Sequence, residues 1–252
     1  MNKSFVLAVY LSMKCHFRSM KCPSPYVILI ALYMSMSSPV HADAAAEAVL
    51  KSVRHGATLQ ENKLSGYLRK DGKRTPLSLT MNGEAISFQF FSNNKWSGFQ
   101  MQLRQGNAKL FSLSQGKAKP FPTEKIGQRI LDSDVTYEDL SLRFLYWKDA
   151  TIMGQEKIKM QQCHKIRLVN PTNDGRYSIV YAWVHQKFGA LMQVTGYNRD
   201  GKLLKRFHIT DIMEVNKVQT IKKMNIETYK PDSNKVIGIT YLEFTKPKKL
   251  GL

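Results

Sequence analysis

Between residues 64 and 113 the chain is cut at regular intervals by residues that turn a backbone sharply. Asp71-Gly72, Asn82-Gly83, Asn93-Asn94, Gly106-Asn107 and Gln115-Gly116 follow one another nine to thirteen residues apart. Asp-Gly and Asn-Gly accept positive φ at both centres of a two-residue turn, the geometry that joins antiparallel strands. Segments this short cannot hold the crossover that parallel strands require, so the stretch reads as an antiparallel meander. Within it Ile86, Phe88 and Phe90 alternate with Ser87 and Gln89, and Phe99, Met101 and Leu103 with Gln100, Gln102 and Arg104. One apolar and one wet face is the pattern of a sheet curled around an interior. Alternation does not say whether the aromatics fill that interior or line a cavity in it, and both readings stand.

The remaining chain continues the theme. Residues 117–123 read as a Pro-containing linker, and residues 154–169, 190–197 and 202–210 as single strands. Residues 177–184, Y-S-I-V-Y-A-W-V, are apolar on both faces and so form a central strand; residues 222–244 supply two more. The sum is about 10 or 11 strands without a βαβ rhythm, an antiparallel sheet with helices on one side. Helical signals occur twice. Residues 43–54 begin at an Asp cap, end in basic residues suited to the helix dipole, and are closed by Gly56. Residues 133–147, S-D-V-T-Y-E-D-L-S-L-R-F-L-Y-W, read as one helix entered through a capping box between Thr136 and Asp139. Tyr137, Leu140, Phe144 and Trp147 share one of its faces and Leu142, Leu145 and Tyr146 another. Only Ser141, Arg143 and Lys148 are left for water, so this helix is expected to be covered on two sides.

The first 42 residues read as a secretion signal. Lys21 is followed by an apolar run over residues 26–36 and by Val-His-Ala before Asp43, a small-residue cleavage site. The run is shorter than the ~20 apolar residues of a spanning helix. A second apolar run at residues 5–13 suggests that translation starts at Met20. Cys15 and Cys22 precede the apolar run, so no lipidation box follows it, and a soluble periplasmic protein over residues 43–252 is expected. Cys163 would be its one cysteine, read as a buried structural residue, because its neighbour His164 points to the opposite face of a strand. Removing Lys3, Lys14, Arg18 and Lys21 from a chain of net charge +19 leaves a surplus of fifteen. Export argues against nucleic acid as the reason; an anionic membrane surface or an acidic partner fits better, and a generally basic surface with no specific partner is the equal alternative.

No catalytic constellation stands out. G-x-S-x-G, H-E-x-x-H, C-x-x-C and a Gly-rich phosphate loop are all missing from the sequence. His55, His164, His185 and His208 lack metal-ligand spacing. Asp132, Asp134, Glu138 and Asp139 cluster, but capping and turn formation account for them. The expectation is no enzyme, no cofactor and no bound metal.

The stretch S-D-V-T-Y-E-D-L resembles the S-D-F-[ST]-Y-E-D-L signature of the outer-membrane lipoprotein-sorting family, the LolA/LolB-like proteins, with Val135 in place of the usual Phe. Ser133, Asp134, Thr136, Tyr137, Glu138, Asp139 and Leu140 carry the match. C-H-K-I-R-L-V-N-P, Y-A-W-V and Y-N-R-D-G-K-L-L-K are similar to the second half of the same family. The resemblance implies an unclosed β-barrel whose apolar inner face is lidded by helices. It also implies a monomeric periplasmic carrier that takes acyl chains of lipoproteins, or similar lipids, between a membrane-protein donor and an acceptor. Phe88, Phe90, Trp96, Phe99, Met101, Leu140, Phe144, Trp147 and Trp183 are the candidate lining, with the reservation that a one-residue slip exchanges lining for surface. An envelope-stress sensor of the RseB/MucB type, or an enzyme of another class, are the alternatives.

Overall fold

The computed structural model describes residues 43–58, 61–83, 85–104, 107–114, 117–172, 174–216 and 218–247. The leader expected over residues 1–42, and the turn residues Gly106, Gln115 and Gly116, lie outside the described residues. Helix α1 (Ala44–Thr58) opens the fold. The meander follows as β1 (Glu61–Lys70), β2 (Lys73–Asn82), β3 (Ala85–Ser92), β4 (Lys95–Arg104), β5 (Asn107–Ser114) and β6 (Lys117–Pro120). After an irregular stretch containing α2 (Tyr137–Ser141), the chain runs through β7 (Asp149–Ile158), β8 (Gln161–Val169), β9 (Ile179–His185) and β10 (Leu191–Tyr197). It finishes with β11 (Leu203–Val215), β12 (Val218–Lys230) and β13 (Lys235–Thr245).

All thirteen strands among the described residues belong to one antiparallel sheet, in the order β6-β5-β4-β3-β2-β1-β13-β12-β11-β10-β9-β8-β7. Every neighbouring pair but one is a hairpin. The exception is β1 with β13, where Ser65 faces Thr245 and Arg69 faces Tyr241. The sheet ends at β6 on one side and β7 on the other and does not close. Residues 121–148 carry the chain between those two end strands.

Two strands exceed the count read from sequence. The supposed linker contains β6, whose Lys117–Pro120 pairs with β5. Its four residues are all exposed, so no periodicity marks it, and Pro120 is tolerated because an edge strand has a free side. The single strand expected over 154–169 is a hairpin of β7 and β8. Its turn, Lys159-Met160, adopts positive φ (48° and 64°) without the Asn or Gly that announces such a turn.

Helix α1 begins as expected. Asp43 Oδ1 accepts from Ala45 N at 2.9 Å, and its Oδ2 accepts from Ile152 N on β7 at 3.2 Å. These bonds, the one from Ile152 first, hold the Asp43 carboxyl below its usual range. The helix passes through Gly56 and ends at Thr58. Ala46, Leu50 and Val53 form its buried stripe, against β2 and β7.

The core occupies one face of the sheet. On β9, Val180, Ala182 and Val184 join the core, while Tyr181 and Trp183 face the other way. Strand β9 is thus covered twice, but the outer cover is made by neighbouring side chains: Trp183 Nε1 donates to Glu156 at 2.8 Å and Tyr181 meets the Tyr197 ring at 5.7 Å. Cys163 on β8 is fully buried, and burial raises its thiol. Among the described residues no helix is long and apolar enough to cross a membrane.

Candidate functional site

The site is built by the stretch that crosses from β6 to β7. Its helix is much shorter than the periodicity of residues 133–147 predicts. The capping box forms: Asp139 N donates to Thr136 Oγ1 at 3.2 Å, and Thr136 N donates to Asp139 Oδ2 at 2.8 Å. Helix α2 nevertheless ends after five residues, with Leu142 in the left-handed region (φ 47°), and a tight 3-10 turn follows over Arg143–Tyr146. Ser141, expected to face water, is wholly buried and donates its hydroxyl to the Glu138 carbonyl at 2.9 Å. Such back-bonding competes with a continued helix. The break lets Phe144, Leu145 and Trp147 all be buried, which no single helical face allows.

The acidic cluster does more than cap. Asp134, Glu138 and Asp139 are 4%, 1% and 1% exposed, and Lys205 of β11 lies among them at 1%. Lys205 Nζ donates to the Asp134 carbonyl and to Thr228 Oγ1 (2.7 Å on β12), and sits 3.7 Å from Asp139 Oδ2. Asp134 Oδ1 accepts from Lys70 of β1 at 2.8 Å, and Asp134 N donates to Thr240 Oγ1 of β13 at 3.1 Å. Four strands are thereby tied to one loop. A Cβ at Gly238 would come within 2.3 Å of Asp134 Oδ2, so β13 needs glycine there.

The same cluster holds the connection between β8 and β9. Tyr177 donates its hydroxyl to Asp139 Oδ1 at 2.5 Å, and Arg176 N donates to Glu138 Oε2 at 2.7 Å. Gly175 (φ 78°) lies where a Cβ would meet Glu138 Oε1. Among the described residues that oxygen has no hydrogen-bond partner. Burial pushes the Glu138 carboxyl up to about 7, with the Asp139 charge adding and the Arg176 N–H opposing. Burial lowers Lys205, against the pull of Asp139 and Asp134. It also raises Tyr177 well above its usual value. These groups are enclosed, and apart from Glu138 Oε1 and Asp134 Oδ2 their side-chain polar atoms have structural partners. They position the crossing segment against the sheet.

Beside this anchor, apolar contacts take over. The Tyr137 ring meets Phe121 at 4.9 Å and Phe99 at 5.6 Å, and Phe99 stacks on Phe88 at 5.4 Å. Phe144 meets Trp147 edge-on at 6.4 Å. Next to these rings an open cleft of ≈ 390 Å³ lies between β5, the crossing segment and the loop after β8. Leu110, Phe121, Ile126, Tyr146 and Trp147 form its apolar wall, and Arg143, Thr172 and Asp174 its polar one. Arg143 pairs with Asp174, keeping that carboxyl low although burial acts against it. From the other side Arg54 of α1 donates to the Leu145 carbonyl at 2.8 Å and lies over the Tyr146 ring.

The candidate lining residues divide three ways. Phe88, Phe90, Phe99, Leu140, Phe144 and Trp147 meet in one core cluster, and Met101 is buried on the same pleat face as Phe99. Of all these only Trp147 also borders the cleft. Trp96 and Trp183 belong to the opposite face: Trp96 is 43% exposed against Phe91, and Trp183 is turned toward Glu156 and Lys165. Both follow from a period of two, since Phe99 and Ala182 occupy the inner positions of their strands. Leu110, Phe121, Ile126 and Tyr146 were not among the candidates. Tyr146 was visible on the second apolar face of residues 133–147, whereas Phe121 and Ile126 lie in irregular chain without a pattern.

A family model described only as an uncharacterized protein matches residues 98–249. Comparison with curated proteins yields no match. Several solved structures share the fold at low identity. An outer membrane lipoprotein-sorting protein domain from Vibrio parahaemolyticus aligns at 14% identity over 82% of this chain and 94% of that one, with a TM-score of 0.61. A LolA superfamily protein from Nitrosomonas europaea aligns at 16% identity over 82% and 94%, TM-score 0.59. A DUF1329 family protein from Desulfovibrio piger aligns at 14% over 82% and 93%, TM-score 0.59.

Proposed function

Since this chain belongs to that family of uncharacterized proteins and has the fold of LolA superfamily proteins, we propose that it is a periplasmic lipid carrier. It takes acyl chains of lipoproteins, or of similar lipids, toward the outer membrane, and acts by binding, without catalysis. The observation that carries the reading is the unclosed sheet. Its end strands are joined through a segment that is anchored in the middle and flanked by a ≈ 390 Å³ cleft with aromatic and aliphatic walls. That volume lies within the range of small-molecule sites, about 300–1,000 Å³. Each methylene moved from water into it contributes ~0.8 kcal/mol, so ten supply about 8 kcal/mol, micromolar affinity before any cost of opening.

The packed rings of Phe88, Phe99, Tyr137 and Phe144 belong to the closed state in this reading. An acyl chain enters along Trp147 and Phe121, and the crossing segment lifts at its aromatic end to extend the cleft toward them. The leader over residues 1–42 directs export, and a membrane-protein donor and acceptor load and unload the monomer. Native mass spectrometry of the exported, gently purified protein tests this directly. A mass increment matching a phospholipid or acylated peptide, displaced by a sixteen-carbon fatty acid, is expected. A protein that carries nothing and rejects the fatty acid would end the proposal.

A further inference from the structure

We propose that two adjacent hairpin tips, Lys159-Met160 between β7 and β8 and Lys187-Phe188 between β9 and β10, form a docking edge for an anionic lipid bilayer. Met160 is 82% exposed and Phe188 72%, more than any other large apolar side chain among the described residues. The tips are neighbours. Gln186 N donates to the Gln162 carbonyl at 3.0 Å, and His185 Nε2 meets Gln161 Oε1 at 3.0 Å.

Each tip carries a lysine immediately before its apolar residue. Lys157, Lys159 and Lys187 are all exposed, Lys159 Nζ donating to the Ile209 carbonyl of β11 at 2.9 Å across open surface, and Glu156, toward the same end of β7, is already paired with Lys165. The backbone adds a second observation. Lys159 and Met160 both hold positive φ, at 48° and 64°, where Asn-Gly would be unstrained. A turn built for stability alone would not place a bare thioether there. Observed strain of this kind points toward a use for the side chain.

The chemistry favours a bilayer over a protein. Protein interfaces exclude lysine from their apolar centres. Here lysine and apolar residue alternate on two separate prongs, the arrangement in which apolar groups enter the acyl boundary while ammonium groups meet phosphates. Lysine stems lie comfortably across such a boundary. Strands β8 and β9 run from these tips to the loop that borders the cleft, so the docking edge and the cleft lie at opposite ends of the same strands. The inference therefore stands apart from the carrier reading.

Vesicle flotation of the purified protein tests it. Binding to vesicles of phosphatidylglycerol and phosphatidylethanolamine, absent with phosphatidylcholine alone and lost at high salt, is expected. Met160→Ser with Phe188→Ser should weaken it at least about tenfold, and Lys159→Gln or Lys187→Gln about fivefold each. Met160→Gly should raise the Tm by relieving the turn and still weaken binding, a pairing that a merely structural tip would not produce. Val236→Ser with Ile237→Ser, at the exposed start of β13, should leave flotation unchanged. Absence of binding to the anionic vesicles would overturn the proposal, as would flotation indifferent to the Met160 and Phe188 changes. So would self-association or protein capture that depends on these two residues without vesicle binding.

Discussion

The crossing segment is held to the sheet in two chemically different ways. Around Asp134–Asp139 it is fixed by buried, directional bonds to Lys70, Lys205, Thr240 and Tyr177. Around Phe121 and Arg143–Trp147 it is held mainly by rings and aliphatic surface, with the cleft alongside. Polar partners in a dry interior have one good geometry, because any displacement leaves a desolvated charge unpaired. Apolar contacts are not directional, and one hydrocarbon replaces another at little cost. The first region is suited to be an anchor and the second to yield to a ligand. That division is the mechanical content of the carrier reading.

The largest expected effect lies in the anchor. Asp139→Ala leaves Lys205 buried near fewer countercharges and removes the partner of Tyr177. A loss of about 3–5 kcal/mol is expected in urea unfolding, or roughly 10 °C in Tm. If Tm barely moves, the anchor is not an anchor and the contrast fails.

The next effect is pH dependence. Glu138 has a folded pKa raised to about 7 from an ordinary 4.5, so the folded state holds its proton more tightly than the unfolded state. Its protonation contributes stability that is fully present below pH 4.5 and is lost as pH rises to about 7. The span is of the order of 3 kcal/mol. Glu138→Gln should remove that slope from a series of unfolding curves, and an unchanged slope would assign it elsewhere.

Changes at the yielding end should touch binding more than stability. Leu110→Lys places an ammonium on the cleft wall, where its stem can reach water. At least a tenfold loss of fatty-acid affinity is expected in a fluorescent displacement assay, with stability altered by less than about 1 kcal/mol. A variant that binds normally would move the ligand away from this cleft. The smallest effect is expected at the helix entrance. Thr136→Ala removes one half of the capping box and should cost about 1 kcal/mol in thermal unfolding.

How far the chain was legible follows the range of the interactions. The meander, the cap of α1 and the Thr136–Asp139 capping box involve partners within a few residues, and their signals were plain. The hairpin at Lys159-Met160 was missed because its turn has neither Gly nor Asn, and β6 because its residues are uniformly exposed. Trp96 and Trp183 are named with the lining although the inward pleat face is not readable from sequence; the period-two alternation around Phe99 and Ala182 puts both on the opposite face, Trp96 exposed and Trp183 buried against its neighbours.

By itself the sequence determined an antiparallel, hairpin-rich sheet and two helix entrances, because those depend on backbone preferences and short-range pairing. Only the tertiary structure decided that Glu138 and Asp139 are buried around Lys205, that the aromatic helix breaks at Leu142, and that the open volume lies beside the predicted lining. Lys205 is 71 residues from Asp134, and Thr240 is 106. Partners so far apart leave no local pattern, and the cost of burying charge is met only when the whole sheet brings them together.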